Sequence, residues 1–290
     1  MIRRKQRNNE QPTTGPEIIY SANSPLQTPG RFLRDIRDDG RVVYHVGRQL
    51  FIRQLTVQMR QNLLGYVWML LPPVVTGLVW IYLGKTRIFG GVNPAIPYPV
   101  YVLTGLFFWQ SFVEALSCPL QQLQQARPTI AKVRVPHEAF VVAGLGTVVF
   151  NTLIRLLLLG MVLAFFQIPL HLTLMLVPLG IGLLIVFGLG LGYLLAPAGL
   201  LYADIASALP VVLNLWFLIT PVVYEPPASV AWLIAWNPVT PLLTTTRNWL
   251  LTGTLVPTPG FIVVTAGACL LLLLSWLLYR LARPHLIVRL

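Results

Sequence analysis

The sequence predicts an all-α integral membrane protein with six spanning helices, and three observations carry that prediction. Hydrophobic residues make up 56% of the 290 and charged residues 10%, which leaves too little polar surface to wrap a soluble core. Six apolar stretches could each cross the hydrocarbon layer, which takes about 20 helical residues for a thickness of roughly 30 Å. Of the 21 lysines and arginines, 11 precede the first of these stretches, between Arg3 and Arg60. Basic residues collect on the cytoplasmic side of a membrane, so that skew also orients the chain.

In chain order, residues 1–30 read as a flexible cytoplasmic tail. The basic cluster Arg3, Arg4, Lys5 and Arg7 leads into polar, proline-containing sequence and not into an apolar core, so it is not a signal peptide. Residues 31–63 form a second region. Phe51, Leu55, Met59 and Leu63 recur every four residues, and Arg48, Arg53, Gln54, Gln58, Arg60 and Gln61 take the other faces. That pattern predicts an amphipathic helix lying either in the membrane interface or against a soluble subunit.

Residues 64–290 form the membrane domain. The expected spans are Leu64–Gly84, Tyr98–Ser117, Phe140–Phe166, Leu172–Leu201, the shorter Ala208–Tyr224 with Asn214 and Pro221 inside it, and Phe261–Tyr279. An even number of spans puts both termini on one side. With that side cytoplasmic, 17 of the 21 basic residues lie inside; only Lys85, Arg87 and Arg247 lie outside, and Arg155 falls within a span. The net charge of +12 is then a topology signal plus attraction to anionic headgroups, not a nucleic-acid footprint. Between Tyr224 and Phe261, prolines 226, 227, 238, 241, 257 and 259 forbid a long helix. Two short re-entrant helices, Ser229–Ala235 and Pro241–Leu251, satisfy the backbone there.

The residue types that carry catalysis are sparse. Cys118 and Cys269 sit at the end and in the middle of spans and predict no structural disulfide, and histidines 45, 137, 171 and 285 have no metal-ligand spacing. Gly84, Lys85 and Thr86 end like a phosphate-binding loop, but the glycine required five positions earlier is Val79. The nine acidic residues are scattered, whereas a membrane-embedded glycolipid enzyme needs clustered carboxylates for a divalent ion or for acid and base. On these residues an enzyme is not expected, although carboxylates distant in sequence could still converge in space. Glu114 and Arg155 are costly at membrane depth. Counted from the expected span ends, each travels roughly 24 Å in opposite directions, so no direct pair is expected. Arg155 then faces a polar cavity or snorkels outward. Glycines 188, 190 and 192 allow close helix approach, within one protomer or across a dimer.

Two blocks are more specific. The first joins Leu63, Leu64, Gly65, Tyr66, Val67 and Trp68 to Gly105, Leu106 and Trp109, and then to the basic stretch Gln125–Glu138 with Arg127, Lys132, Arg134 and Pro136. The second runs Tyr202, Ala203, Asp204, Ile205, then Trp216, Thr220, Pro221 and Tyr224, then Asn237 and Pro238. Together they resemble the permease subunits of polysaccharide-exporting ATP-binding-cassette transporters, the O-antigen, teichoic-acid and capsule export family, over about Arg48–Leu290. Two positions depart from the family pattern: Ala203 stands where an arginine is usual, and Val135 where an aromatic is usual.

That resemblance implies a type-2 exporter permease fold in a bacterial inner membrane, with both termini cytoplasmic. It implies a homodimer that works with two copies of an ATPase subunit. ATP and Mg would be bound by that partner, and no cofactor by this chain. The basic stretch would be the coupling segment that docks on the ATPase, through Arg127, Lys132, Arg134, Pro136 and Glu138, with Asp204 beside it; its plainer reading is a lipid-facing basic loop. The cargo would be an undecaprenyl-diphosphate-linked glycan, with Arg53 and Arg60 meeting the lipid phosphates. Most aromatics suit the interfacial belt, but Tyr101, Phe108, Phe112 and Trp216, with Arg155, are candidates to line a glycan channel, since sugar C–H faces stack on aromatic rings. The rival readings are a capsule, teichoic-acid or drug exporter of the same architecture, a membrane-embedded glycolipid enzyme, and a non-transporting membrane scaffold.

Overall fold

The computed structural model describes residues 29–61, 65–85, 96–130, 135–225, 234 and 236–287. Among these, every regular element is helical: α1 Pro29–Gln61, α2 Gly65–Lys85, α3 Tyr98–Ile130, α4 His137–Phe165, a 3-10 turn at Leu172–Leu176, α5 Val177–Leu201, α6 Ala203–Ile219, α7 Val239–Leu251 and α8 Phe261–Ile287. Among the described residues, four stretches are long and apolar enough to cross a membrane: Tyr98–Thr129, His137–Phe165, Leu172–Leu201 and Phe261–Ala282. Val74–Leu83 in α2 and Asp204–Ile219 in α6 are shorter apolar helices. The tail before residue 29 and nearly all of the expected helix Ser229–Ala235 lie outside the described residues, whereas Pro241–Leu251 falls within α7.

Local chemistry sets the helix ends. α4 starts directly after Pro136, whose fixed φ of −57° leads into the first turn, and Glu138 in that turn complements the exposed N–H groups. α5 has a proline in its first two positions, where a missing N–H costs nothing. It stops at Tyr202, extended at φ −120° and ψ 112°, and α6 begins there with Asp204 in its first turn.

α5 is the centre of the bundle, packed on α3 along one side and α8 along the other. Its glycines make both contacts possible. A Cβ on Gly188 would lie 2.7 Å from the Phe112 carbonyl oxygen and 3.0 Å from the Leu116 nitrogen, and one on Gly192 would strike the Leu116 carbonyl. Gly190 points the other way, where a Cβ would lie 3.1 Å from Leu271 Cγ and from the Leu272 nitrogen. The three glycines therefore serve close approach within one protomer, on two opposite faces of one helix.

The described part of the amphipathic face of α1 packs on this same chain, while the Met59 side chain and Leu63 lie outside the described residues. Val142 packs on Gly47, Phe51 packs on Gly146, and Gln54 Nε2 donates to Gln122 Oε1 at 3.0 Å. The amphipathic pattern thus has a third partner besides lipid and a soluble subunit, the lower ends of α3 and α4.

Candidate functional site

The expectation about Glu114 and Arg155 is overturned: the Arg155 guanidinium donates directly to the Glu114 carboxylate. The error lay in ending span two at Ser117. α3 runs through Pro119 and the glutamine-rich stretch to Ile130, 33 residues or about 50 Å. Measured from the α3–α4 connection, Glu114 is 16 residues up one helix and Arg155 is 18 up the other, which is one level. The neighbouring contacts keep that register. Asn151 Nδ2 donates to Glu114 Oε2 at 3.3 Å, Thr152 Oγ1 to Ser111 Oγ at 3.0 Å, and Cys118 Sγ to the Val141 carbonyl at 3.8 Å. Arg155 is buried, and its Nε and Nη1 have no hydrogen-bond partner among the described residues. Both cysteines are free.

At the end bearing the α3–α4 connection, termed the basic end, three helices are tied by buried polar groups. Arg280 Nε donates to Glu138 Oε1 at 3.0 Å, with side chains 8% and 5% exposed, and the Arg280 guanidinium lies 5.1 Å from the Trp276 ring centroid. Tyr279 Oη and His137 Nδ1 are 3.4 Å apart, and the Tyr279 ring packs on Tyr193 at 5.6 Å. The last carbonyls of α5, which lack helical partners, are taken by α3: Gln124 Nε2 donates to Gly199 O at 3.0 Å, and Arg127 Nη2 donates to Leu200 O.

At the far end Arg247 is buried, not displayed to solvent. Its guanidinium donates to the carbonyls of Pro221 and Val222 and lies 4.0 Å from the Tyr101 ring centroid. Gly105 is required beneath it, because a Cβ there would collide with both the Val222 carbonyl and Arg247 Nη2. Asn237 closes the same region, donating to Thr220 Oγ1 at 2.8 Å and accepting from Trp216 Nε1 and the Val239 nitrogen, each at 3.1 Å.

The expected site residues thus divide. Tyr101, Phe108 and Phe112 are buried in the protomer core, and Trp216 is half-buried. Phe112 stacks on Phe187 at 5.8 Å and meets Trp109 and Trp216 at 5.3 and 5.4 Å. In this conformation those aromatics join α3 to α5 and α6, and Arg155 lies buried between α3 and α4. Of the coupling residues, Glu138 is buried, Pro136 is half-buried, Asp204 is exposed at the start of α6, and Arg127 is exposed while capping α5. Lys132 and Arg134 lie outside the described residues. Arg53 is exposed on α1, and Arg60 sits in the last turn of that helix. Sequence reasoning missed Arg280, which it counted only as a topology charge, and the inward turn of Arg247.

No family model matches the chain. Among curated proteins it is 27% identical over 200 residues to the O-antigen export system permease protein RfbA of Myxococcus xanthus, covering 66% of this chain and 75% of that one. It is 24% identical over 211 residues to the protein of the same name from Klebsiella pneumoniae, covering 70% and 79%. This chain is a relative of O-antigen export permeases. The motifs that carried the permease resemblance coincide with the contacts that hold the bundle. Trp216, Thr220 and Asn237 form one hydrogen-bonded group, Gly105 makes room for Arg247, and Glu138 holds Arg280. In this relative of the export permeases those residues act on the fold.

Proposed function

We propose that this chain is the membrane-spanning subunit of an ATP-driven exporter that carries a lipid-linked polysaccharide of O-antigen type from the cytoplasm across the bacterial inner membrane. The relationship to O-antigen export permeases over about 70% of the chain carries this reading. α2, α3, α4, α5, α6 and α8 are the six spans, the basic end is cytoplasmic with both termini, and α7 is re-entrant at the far end. The subunit works as a homodimer with two ATPase subunits, which bind ATP and Mg. Coupling passes through the 127–138 segment and the exposed Asp204 at the head of α6. Arg53 and Arg60 on α1 meet the diphosphate of an undecaprenyl-linked glycan. Glu138 acts inside the bundle, as the link between that segment and α8.

Deletion of the gene in its host tests the proposal. The expected result is loss of surface polysaccharide with lipid-linked glycan accumulating inside, restored by the wild-type chain only when the partner ATPase is active. Unchanged surface polysaccharide, or ATP hydrolysis by the purified chain alone, would refute it.

A further inference from the structure

Besides its buried aromatic side, α3 has a polar one. Gln110, Glu114, Ser117, Gln121 and Gln125 are spaced by four, three, four and four residues, which confines them to an arc of about 80° on a helix of 3.6 residues per turn. All five are half-buried or exposed, and the Glu114 side chain is 31% exposed despite its ion pair. The track climbs about 23 Å from the basic end to the middle of the helix. Above Gln110 the same side is shut: Leu103 lies against Gly77 of α2, where a Cβ would come within 2.8 Å of Leu103 Cδ2.

The outer side of α4 offers an internal comparison. Its exposed residues Val149, Leu153, Leu157, Met161 and Phe165 are all apolar, as a lipid-facing surface requires. Gln110, Glu114 and Ser117, on the open side of the apolar part of α3, have no such compatibility with hydrocarbon, and intramembrane ionisable groups face protein or water-filled paths; Gln121 and Gln125 continue the track where the helix leaves the membrane. Behind them Arg155, fully buried with two unpartnered nitrogens, keeps the site polar from within.

We infer that this side of α3 is a wall of the translocation path, and that Gln110, Ser117 and Gln121 hydrogen-bond the hydroxyls of the passing glycan around a Glu114 oriented by Arg155 and Asn151. The inference rests on the export reading and deepens it. Amides and a hydroxyl both donate and accept, which suits a polyhydroxyl chain without demanding one sugar. The path is open at the basic end and closed above Gln110 by the α2–α3 contact.

The test uses the full chain in its native membrane with its partner ATPase. Cys118 and Cys269 are replaced by Ala, and Gln110→Cys, Ser117→Cys, Gln121→Cys and, as the lipid-side control, Leu153→Cys are introduced singly. A water-soluble, membrane-impermeant maleimide applied to inside-out vesicles is expected to label the first three at least tenfold faster than Leu153→Cys. Labelling no faster than the control overturns the inference, as does copy-to-copy disulfide formation at Ser117→Cys without aqueous labelling. In the second arm, the double variant Gln110→Leu, Ser117→Leu should lower surface polysaccharide several-fold, while Gln110→Asn, Ser117→Thr retains it. Equal export by the leucine variant overturns the sugar contact. Labelling needs no cargo, so a wild-type chain that exports no glycan fails the export reading separately from the water-facing track.

Discussion

Glu138 and Arg280 are separated by 142 residues and joined at 3.0 Å with almost no solvent access. This ion pair and the 3.4 Å approach of Tyr279 Oη to His137 Nδ1 beside it join α4 to α8. Removing one member of a buried pair costs about 3–5 kcal/mol, because the surviving charge is left in a poor solvent. Glu138→Ala and Arg280→Met should each fall in that range. The double variant should cost less than their sum, by clearly more than the ~1 kcal/mol typical of an exposed pair. Tryptophan-detected thermal unfolding of the purified protein in detergent at pH 7 measures all four corners of the cycle. Additive single costs, or single costs below about 1 kcal/mol, would refute the reasoning. A functional arm separates structure from docking. The exchange Glu138→Arg with Arg280→Glu should recover both stability and export, whereas recovered stability without export would mean that Glu138 touches the ATPase directly.

Two further outcomes follow from close contacts. Gly188→Val should force α5 away from the Phe112 and Leu116 backbone and cost about 1–3 kcal/mol or more in melting assays, while Gly182→Ala, where a Cβ meets nothing within 4 Å, should be neutral or slightly stabilising. Arg247→Lys keeps the charge but loses the fork that reaches the Pro221 and Val222 carbonyls together; a loss of about 1–3 kcal/mol is expected, with earlier proteolysis of the chain between α6 and α7.

Length and composition sufficed to place the helices, because apolar runs bounded by prolines and charges leave few other solutions at membrane depth. α3 was cut short for a physical reason: Pro119 and the four glutamines after it read as the end of a span. Yet a helix that leaves the membrane can continue in polar sequence, and the Pro119 ring is accommodated against Gly192. The Glu114–Arg155 pair was missed through that one boundary. The buried state of Phe108 and Phe112 was illegible because α3 is apolar on most sides near its start, so periodicity selects no inner face. Nor can spacing along the chain reveal that Glu138 meets Arg280. The motif residues Trp216, Thr220 and Asn237 were found, but only coordinates disclose that they bond to one another.

The placement of α5 bears on biogenesis. Gly190 is matched by α8, which follows α7 in the chain, so the central helix keeps one side uncovered until α8 has been made. A chain broken off after α7 would hold that bare seam in the bilayer, a ready mark for membrane proteases, which ties survival of the newborn polypeptide to the synthesis of α8.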